Sequence, residues 1–260
     1  MHFIAISKII TLEIEIMSNK YLKKIQNHFK KDKIYRIVFY GDSITSTEWV
    51  HPNWREIFQY VLQEELAKKT NICPEPSWLI RTINSGLTSA TTADLAKKIQ
   101  PYVLDFKPSL LILIAGKNDA LFSIPAEVQV KNIEKICREI RKNNIDIIFA
   151  TSTPTLKESL NRRYDAYAKA ASKMLKRLNI QCVDLFNKYK HFNLKRLFTF
   201  RFEHGNKDFN VKPGGIDPAH PNQLGNAYIA KVLLKEIFDI EFDPELYIKD
   251  TYAGRKKPRY

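Results

Sequence analysis

Ile34-Tyr35-Arg36-Ile37-Val38-Phe39-Tyr40-Gly41-Asp42-Ser43 is the stretch on which the fold turns. A run of β-branched and aromatic residues, broken only by Arg36, stops at a glycine. That is the pattern of a buried strand entering a tight turn. Residues 78–83, 110–115, 145–150 and 180–185 repeat the short apolar run. Between the runs lie stretches of helical period: Trp54, Ile57, Phe58, Val61, Leu62 and Leu66 share one face, as do Val128, Ile133, Ile136, Cys137 and Ile140. Further helical stretches cover 156–178 and 223–238. Strands alternating with helices predict an α/β domain built on one five-stranded, mainly parallel sheet.

The chain around that stretch has 260 residues, 44% hydrophobic and 27% charged. Such a composition supports a real core and argues against a disordered or collagen-like chain. With no internal repeat or low-complexity linker, the expected organisation is one domain over 34–240 with appendages. Residues 1–33 form an N-terminal extension. Its part from 18 to 33 carries Lys20, Lys23, Lys24, Lys30, Lys31 and Lys33 around Leu22, Ile25 and Phe29, an amphipathic helix expected to pack on the domain, with a membrane-surface role as the second reading. Residues 241–260 are expected to be a basic C-terminal tail.

Lysine and arginine number 42 against 28 acids, a net charge of +14 that favours anionic partners without choosing among them. No nucleic-acid motif accompanies the charge, so nucleic acid is not expected. Cys73, Cys137 and Cys182 lack metal or disulfide spacing and read as reduced, buried residues. Lys8, Glu13 and Glu15 interrupt the apolar start, so no export signal is read in residues 1–16, and no apolar run is long enough to span a bilayer. A cytoplasmic protein is the expectation, with secretion by another route left open.

Glycine is scarce: there are 8, against roughly 18 at the usual frequency. Gly41, Gly86 and Gly116 each end an expected strand, at the sheet edge where open α/β folds bind ligands. Ser43 follows the first of these turns, exposed yet held, as a nucleophile must be. Alone it reads as readily as a cap for the next turn. Asn118, in Gly116-Lys117-Asn118-Asp119, offers a carboxamide donor, and the Gly86 N–H offers a donor without a side chain to block it. With the Ser43 N–H these would make an oxyanion hole.

A serine nucleophile needs a base, and of six histidines His220 stands apart. It lies in Asp217-Pro218-Ala219-His220-Pro221, with a carboxylate three residues earlier and prolines stiffening the segment. One short turn would then present the imidazole while Asp217 orients it. From this segment alone, a surface turn in which Asp217 caps the last helix and His220 is incidental is an equal alternative.

Gly41-Asp42-Ser43-Ile44-Thr45, Gly86, Gly116-Lys117-Asn118-Asp119 and Asp217-Pro218-Ala219-His220, in that order, resemble the four motif blocks of the SGNH, or GDSL-like, hydrolase family. The resemblance covers residues 34–239. It implies a flavodoxin-like three-layer α/β/α sandwich with strand order 2-1-3-4-5. It also implies hydrolysis of a carboxylic ester through a Ser-His-Asp triad and an acyl-enzyme, without metal or organic cofactor. Carried over residue by residue, Ser43 is the nucleophile, His220 the base and Asp217 its orienter, with Ser43, Gly86 and Asn118 as oxyanion donors.

Two positions depart from the family pattern: Ile44 replaces its leucine, and Ser89 stands where a second glycine often lies three residues after Gly86. Lys117 fills a variable position. A solvent-facing side chain is expected there, with a bias toward an anionic substrate as the alternative. Residues 186–212 interleave seven aromatics with basic residues, read either as a packed insertion or as a lid over a small-molecule or lipid ester. The rival function is an inactive hydrolase fold that binds phospholipid or another anionic partner through its basic surface.

Overall fold

The computed structural model describes residues 19–31, 33–70 and 78–254. The expectations for residues 1–16, for Cys73 and for the basic residues 255–259 lie outside them.

In chain order the elements are α1 (Lys20–Phe29), β1 (Tyr35–Gly41), α2 (Ser43–Ser46), α3 (Trp54–Thr70), β2 (Ile80–Gly86), α4 (Thr92–Tyr102), β3 (Leu110–Ile114), α5 (Lys117–Leu121), α6 (Ala126–Lys142), β4 (Asp146–Ala150), α7 (Glu158–Arg177), β5 (Gln181–Val183), α8 (Leu185–Lys190), α9 (Leu194–Leu197), α10 (Gln223–Phe238) and α11 (Pro244–Tyr252). The five strands are all parallel, in the order 2-1-3-4-5.

Alternation along the strands divides the core in two. Tyr35, Ile37 and Phe39 of β1, Leu110, Ile112 and Ile114 of β3, and Ile148 of β4 join a cluster with α1, α3 and α10. Val38, Tyr40, Leu111, Leu113, Ile147 and Phe149 point the other way, into a cluster with α4, α6 and α7. A sheet covered on both faces needs strands apolar at every position, which is why these runs carry no polar alternation. The result is the three-layer α/β/α sandwich.

The register sets up the site. Gly41 lies opposite Gly86 on one side and Ile114 on the other, so the turns after β1, β2 and β3 open side by side at one sheet edge.

The two ends of the described chain join the body. Tyr21, Leu22 and Ile25 of α1 are buried in the core, Tyr21 packs edge-on to Phe238, and Asn19 Nδ2 donates to the Ile237 carbonyl at 2.7 Å. The apolar stripe of α1 therefore faces the domain. From residue 241 the expected tail instead carries α11, whose Ile248 is buried and whose Tyr247 meets Tyr60. Asp243 caps that helix through the N–H groups of Glu245 and Leu246, and Pro244 starts it.

Smaller differences have local causes. β2 begins at Ile80 because the backbone at Trp78 and Leu79 is helix and turn, and β5 ends at Val183 because Asp184 caps α8. On α6, Val128 is exposed and Gln129 takes the buried position. Cys137 is buried and Cys182 half-buried. Among the described residues no helix is long and apolar enough to cross a membrane.

Candidate active site

Ser43 is the first residue of α2, a single turn wedged between β1 and α3. Asp42 caps it: Oδ1 accepts the Ile44 N–H at 3.0 Å. The carbonyls of the turn are held from α3. Trp54 Nε1 donates to Ile44 at 2.8 Å, and the Arg55 guanidinium donates to Thr45 at 2.6 Å and to Ser46 at 2.9 Å. With the Ile44 N–H capped and its carbonyls clamped, the turn presents Ser43 on fixed backbone.

The Asp217–His220 segment forms a second rigid turn. Asp217 Oδ1 accepts the N–H groups of Ala219 at 2.8 Å and His220 at 3.1 Å, while Oδ2 accepts His220 Nδ1–H at 2.7 Å. Nδ1 thus carries the proton and Nε2 is left as an acceptor. Nε2 lies 2.9 Å from Ser43 Oγ. Burial alone would raise the Asp217 carboxyl. The hydrogen bond and charge of His220, with the N–H groups of Ala219 and His220, outweigh it and hold the group below the usual carboxylate value. Trp49 packs edge-on against the imidazole, 5.5 Å between ring centroids.

Ser43, His220 and Trp49 line a cavity of about 220 Å3 together with Thr88, Ser89, Lys117 and Asn118, with Asp217 behind the imidazole. Asn118 Nδ2 donates to the Ala90 carbonyl at 2.9 Å, which fixes the carboxamide and leaves its second N–H without a partner among the described residues. The backbone N–H groups of Ser43 and Ser89 likewise donate to no described residue. Asp119 does not enter the cavity. It is fully buried and takes the N–H and hydroxyl of Thr92, at 2.9 and 2.5 Å, anchoring the start of α4.

Residues 39–228 match the GDSL-like lipase/acylhydrolase family. The chain belongs to that family. Membership makes it an ester-bond hydrolase of the esterase type. The GDSL-like chain is 24% identical over 184 residues to a Bacillus subtilis (strain 168) protein named as an uncharacterized lipoprotein, YqeF, covering 60% of this chain and 71% of that one. Its fold is shared with an acetylxylan esterase from Geobacillus stearothermophilus, at TM-score 0.59 and 18% identity over 79% of this chain and 94% of the other. A lipase/acylhydrolase from Enterococcus faecalis is similar at TM-score 0.56 and 22% identity, over 79% and 96%.

Set beside the sequence expectations, the GDSL-like structure brings Ser43, Asp217, His220 and Asn118 together and leaves Gly86 apart. The Gly86 N–H donates to Asn84 Oδ1 at 3.0 Å, and Gly86 is not among the residues lining the cavity. Its lack of a side chain answers a packing demand: a Cβ there would stand 2.2 Å from the Ser46 backbone nitrogen. Ser89, at φ +62°, occupies the cavity wall instead. A serine in the left-handed region gives no local sign of itself. The departure from glycine at that position was the one available signal.

Lys117 is the other correction. It is 5% exposed, not solvent-facing, and its Nζ donates to the Ala219 carbonyl at 3.0 Å. The stretch 186–212 divides between the two readings given for it: Phe186, Tyr189 and Phe198 are core, whereas Asn206, Asp208 and Phe209 line the cavity. Arg201 and Ile216, and then Asn206 and Val211, pair as antiparallel bridges, and Lys157 Nζ donates to the Phe209 and Asn210 carbonyls at the tip.

Proposed function

We propose that Ser43, His220 and Asp217 act as a nucleophile, base and orienter, and that the substrate is a short-chain acyl ester of a neutral alcohol. The observation that carries the reading is the unbroken chain from Ser43 Oγ through His220 to Asp217 Oδ2, with steps of 2.9 and 2.7 Å. In it, Ser43 Oγ attacks the ester carbonyl as its proton passes to Nε2, and the carbonyl oxygen gains the negative charge. The N–H groups of Ser43 and Ser89 and the spare N–H of Asn118 are the donors available to that oxygen. Collapse expels the alcohol, which takes the proton from the imidazolium, and water repeats the sequence in reverse to free the acid.

The substrate class follows from the walls. A cavity of about 220 Å3 is below the roughly 300–1,000 Å3 of pockets for drug-sized ligands, which suits an acyl group of few carbons. Trp49 and Phe122 are half-exposed at the cavity, and Asn206 and Asp208 add polar groups. Aromatic faces beside hydrogen-bonding side chains suit a hydroxyl-rich leaving group such as a sugar. Asp208 disfavours an anionic one, and Lys117 is already engaged with Ala219. An acetyl ester of this kind is also what the name of the Geobacillus relative describes.

The test is covalent labelling by a fluorophosphonate probe. The folded protein should label at Ser43, with labelling abolished in Ser43→Ala and strongly reduced in His220→Ala. A folded protein that takes no label would overturn the reading.

A further inference from the structure

Lys117 opens α5 beneath the cavity, and a lysine buried there is costly unless its charge has partners. Nζ donates to the Ala219 carbonyl at 3.0 Å and reaches Thr153 Oγ1 at 3.5 Å, and the ring of Tyr164 lies 5.8 Å away. Ala219 immediately precedes His220, and its carbonyl has no other partner among the described residues. The loop is otherwise tied to the body upstream by Asp217 N–H to the Phe200 carbonyl at 2.7 Å and by Leu156 N–H to the Pro218 carbonyl at 3.1 Å, and downstream by Asn222 N–H to the Leu197 carbonyl at 2.7 Å. None of the three is made by Ala219 or His220. The peptide that carries His220 is held from the cavity side by Lys117.

We propose that Lys117 is a positioning residue for the base: its ammonium grips the Ala219 carbonyl, sets the imidazole at reach of Ser43, and must be charged to do so. The inference rests on the proposed roles of Ser43 and His220. A cationic donor makes a shorter, stronger bond to a carbonyl than a neutral amine does, so loss of the proton loosens the grip. The same loss strips Asp42 of its counter-charge. Asp42 is buried with Oδ2 unpartnered.

Burial lowers the Lys117 ammonium to about 8, against the opposing pull of Asp42 and Asp217. The other groups facing Nζ are His220, beyond the carbonyl it holds, and Tyr164 of α7, whose phenol burial keeps well above the ordinary value. Asp217 is held low and stays ionised, while burial pushes Asp42 up. The ammonium therefore titrates within the range of an ordinary assay.

The experiment measures kcat and KM for p-nitrophenyl acetate from about pH 6 to about pH 9.5, on the full chain, for wild type, Lys117→Arg and Lys117→Met. Wild-type kcat should fall as pH rises through Lys117's range, and Lys117→Arg, charged throughout, should move that fall to higher pH. Lys117→Met should lack the fall and lose about 10- to 100-fold in kcat with KM within about twofold, the sign of misplaced chemistry rather than lost binding. A Lys117→Met enzyme with wild-type kcat, or an alkaline fall unmoved in Lys117→Arg, overturns the inference. Should neither variant fold, the wild-type profile decides: no fall near pH 8 overturns it. Fluorophosphonate labelling separates the two levels. A wild type that does not label sinks the catalytic roles, whereas normal labelling with an indifferent Lys117→Met sinks only the role of Lys117.

Discussion

Gly86 and Ser46 touch backbone to backbone: a Cβ on Gly86 would stand 2.2 Å from the Ser46 nitrogen and 2.5 Å from its Cα. Neither atom can swing aside as a side-chain tip can. Gly86→Ala should therefore displace α2 or loosen β2, at a cost of about 3 kcal/mol, and should slow fluorophosphonate labelling of Ser43 as the turn shifts. Urea titration with parallel labelling rates checks both. Wild-type stability would mean that the contact is not needed.

Asp217→Asn keeps the size of the side chain but removes the charge that fixes the imidazole tautomer. In a triad such a change costs about 10⁴-fold in kcat, here with the fold retained by circular dichroism. The acid side has a definite sign. Because the folded Asp217 carboxyl is held below its ordinary value, it contributes stability above the unfolded value of about 3.9, lost as pH falls through the folded one. Thermal melts should show wild type more stable than Asp217→Asn near neutrality, with the gap closing in acid.

How much of this could be seen in the residues alone varies with the kind of residue. The five strands and their parallel sheet were legible because apolar runs such as 110–115 have no other home than a sheet buried on both sides, whereas the order 2-1-3-4-5 came only with the resemblance to the hydrolase family. The helix α4 has a local start signal, the capping box of Thr91 with Asp94, which Asp119 reinforces from far along the chain, but Pro101 in its last turn argues against a helix there. The meeting of Ser43, Asp217 and His220 was legible because each sits in a short segment whose local chemistry is distinctive; their roles are the proposal made above. Gly86 misled, since an absent side chain looks the same whether it admits a ligand or another backbone. Lys117 misled because a charged residue suggests water until its partners, Ala219, Asp42 and Asp217, are brought round it from distant parts of the chain.

Asn118→Ala removes a candidate donor to the developing oxyanion, and should lower kcat by about 10²–10³-fold with little change in KM. It also strips the Ala90 carbonyl of its partner, so stability should drop by about 1 kcal/mol. Steady-state kinetics with a short nitrophenyl ester and a denaturant titration read the two effects separately.

Ser89 holds a left-handed backbone that costs little only for glycine. Ser89→Gly should keep kcat within about twofold, because the proposed donor is the backbone N–H, and should match or exceed wild-type stability by up to about 1 kcal/mol. Ser89→Val, β-branched in the same conformation, should lose stability. A large activity loss in Ser89→Gly would assign the work to the hydroxyl instead.

The size of the cavity predicts selectivity. Across nitrophenyl esters from acetyl to palmitoyl, kcat/KM should be highest at the short end and fall steeply with chain length. Phe209→Ala, which opens the wall nearest the loop tip, should narrow the acetyl-to-butyryl preference by roughly 10-fold. A flat profile in wild type would remove the basis for a short acyl group.

The imidazole and its carboxylate ride on one turn, only three positions apart, with two main-chain amides bound to the same oxygen. Ser43 belongs to a different piece of the molecule, separated from His220 by 177 positions along the polypeptide. The array therefore has a single loose joint, the gap between Nε2 and Oγ. As the protein softens on warming, that joint should part first. Turnover would then fade while the proton shared by the ring and the acid still gives its downfield magnetic resonance signal.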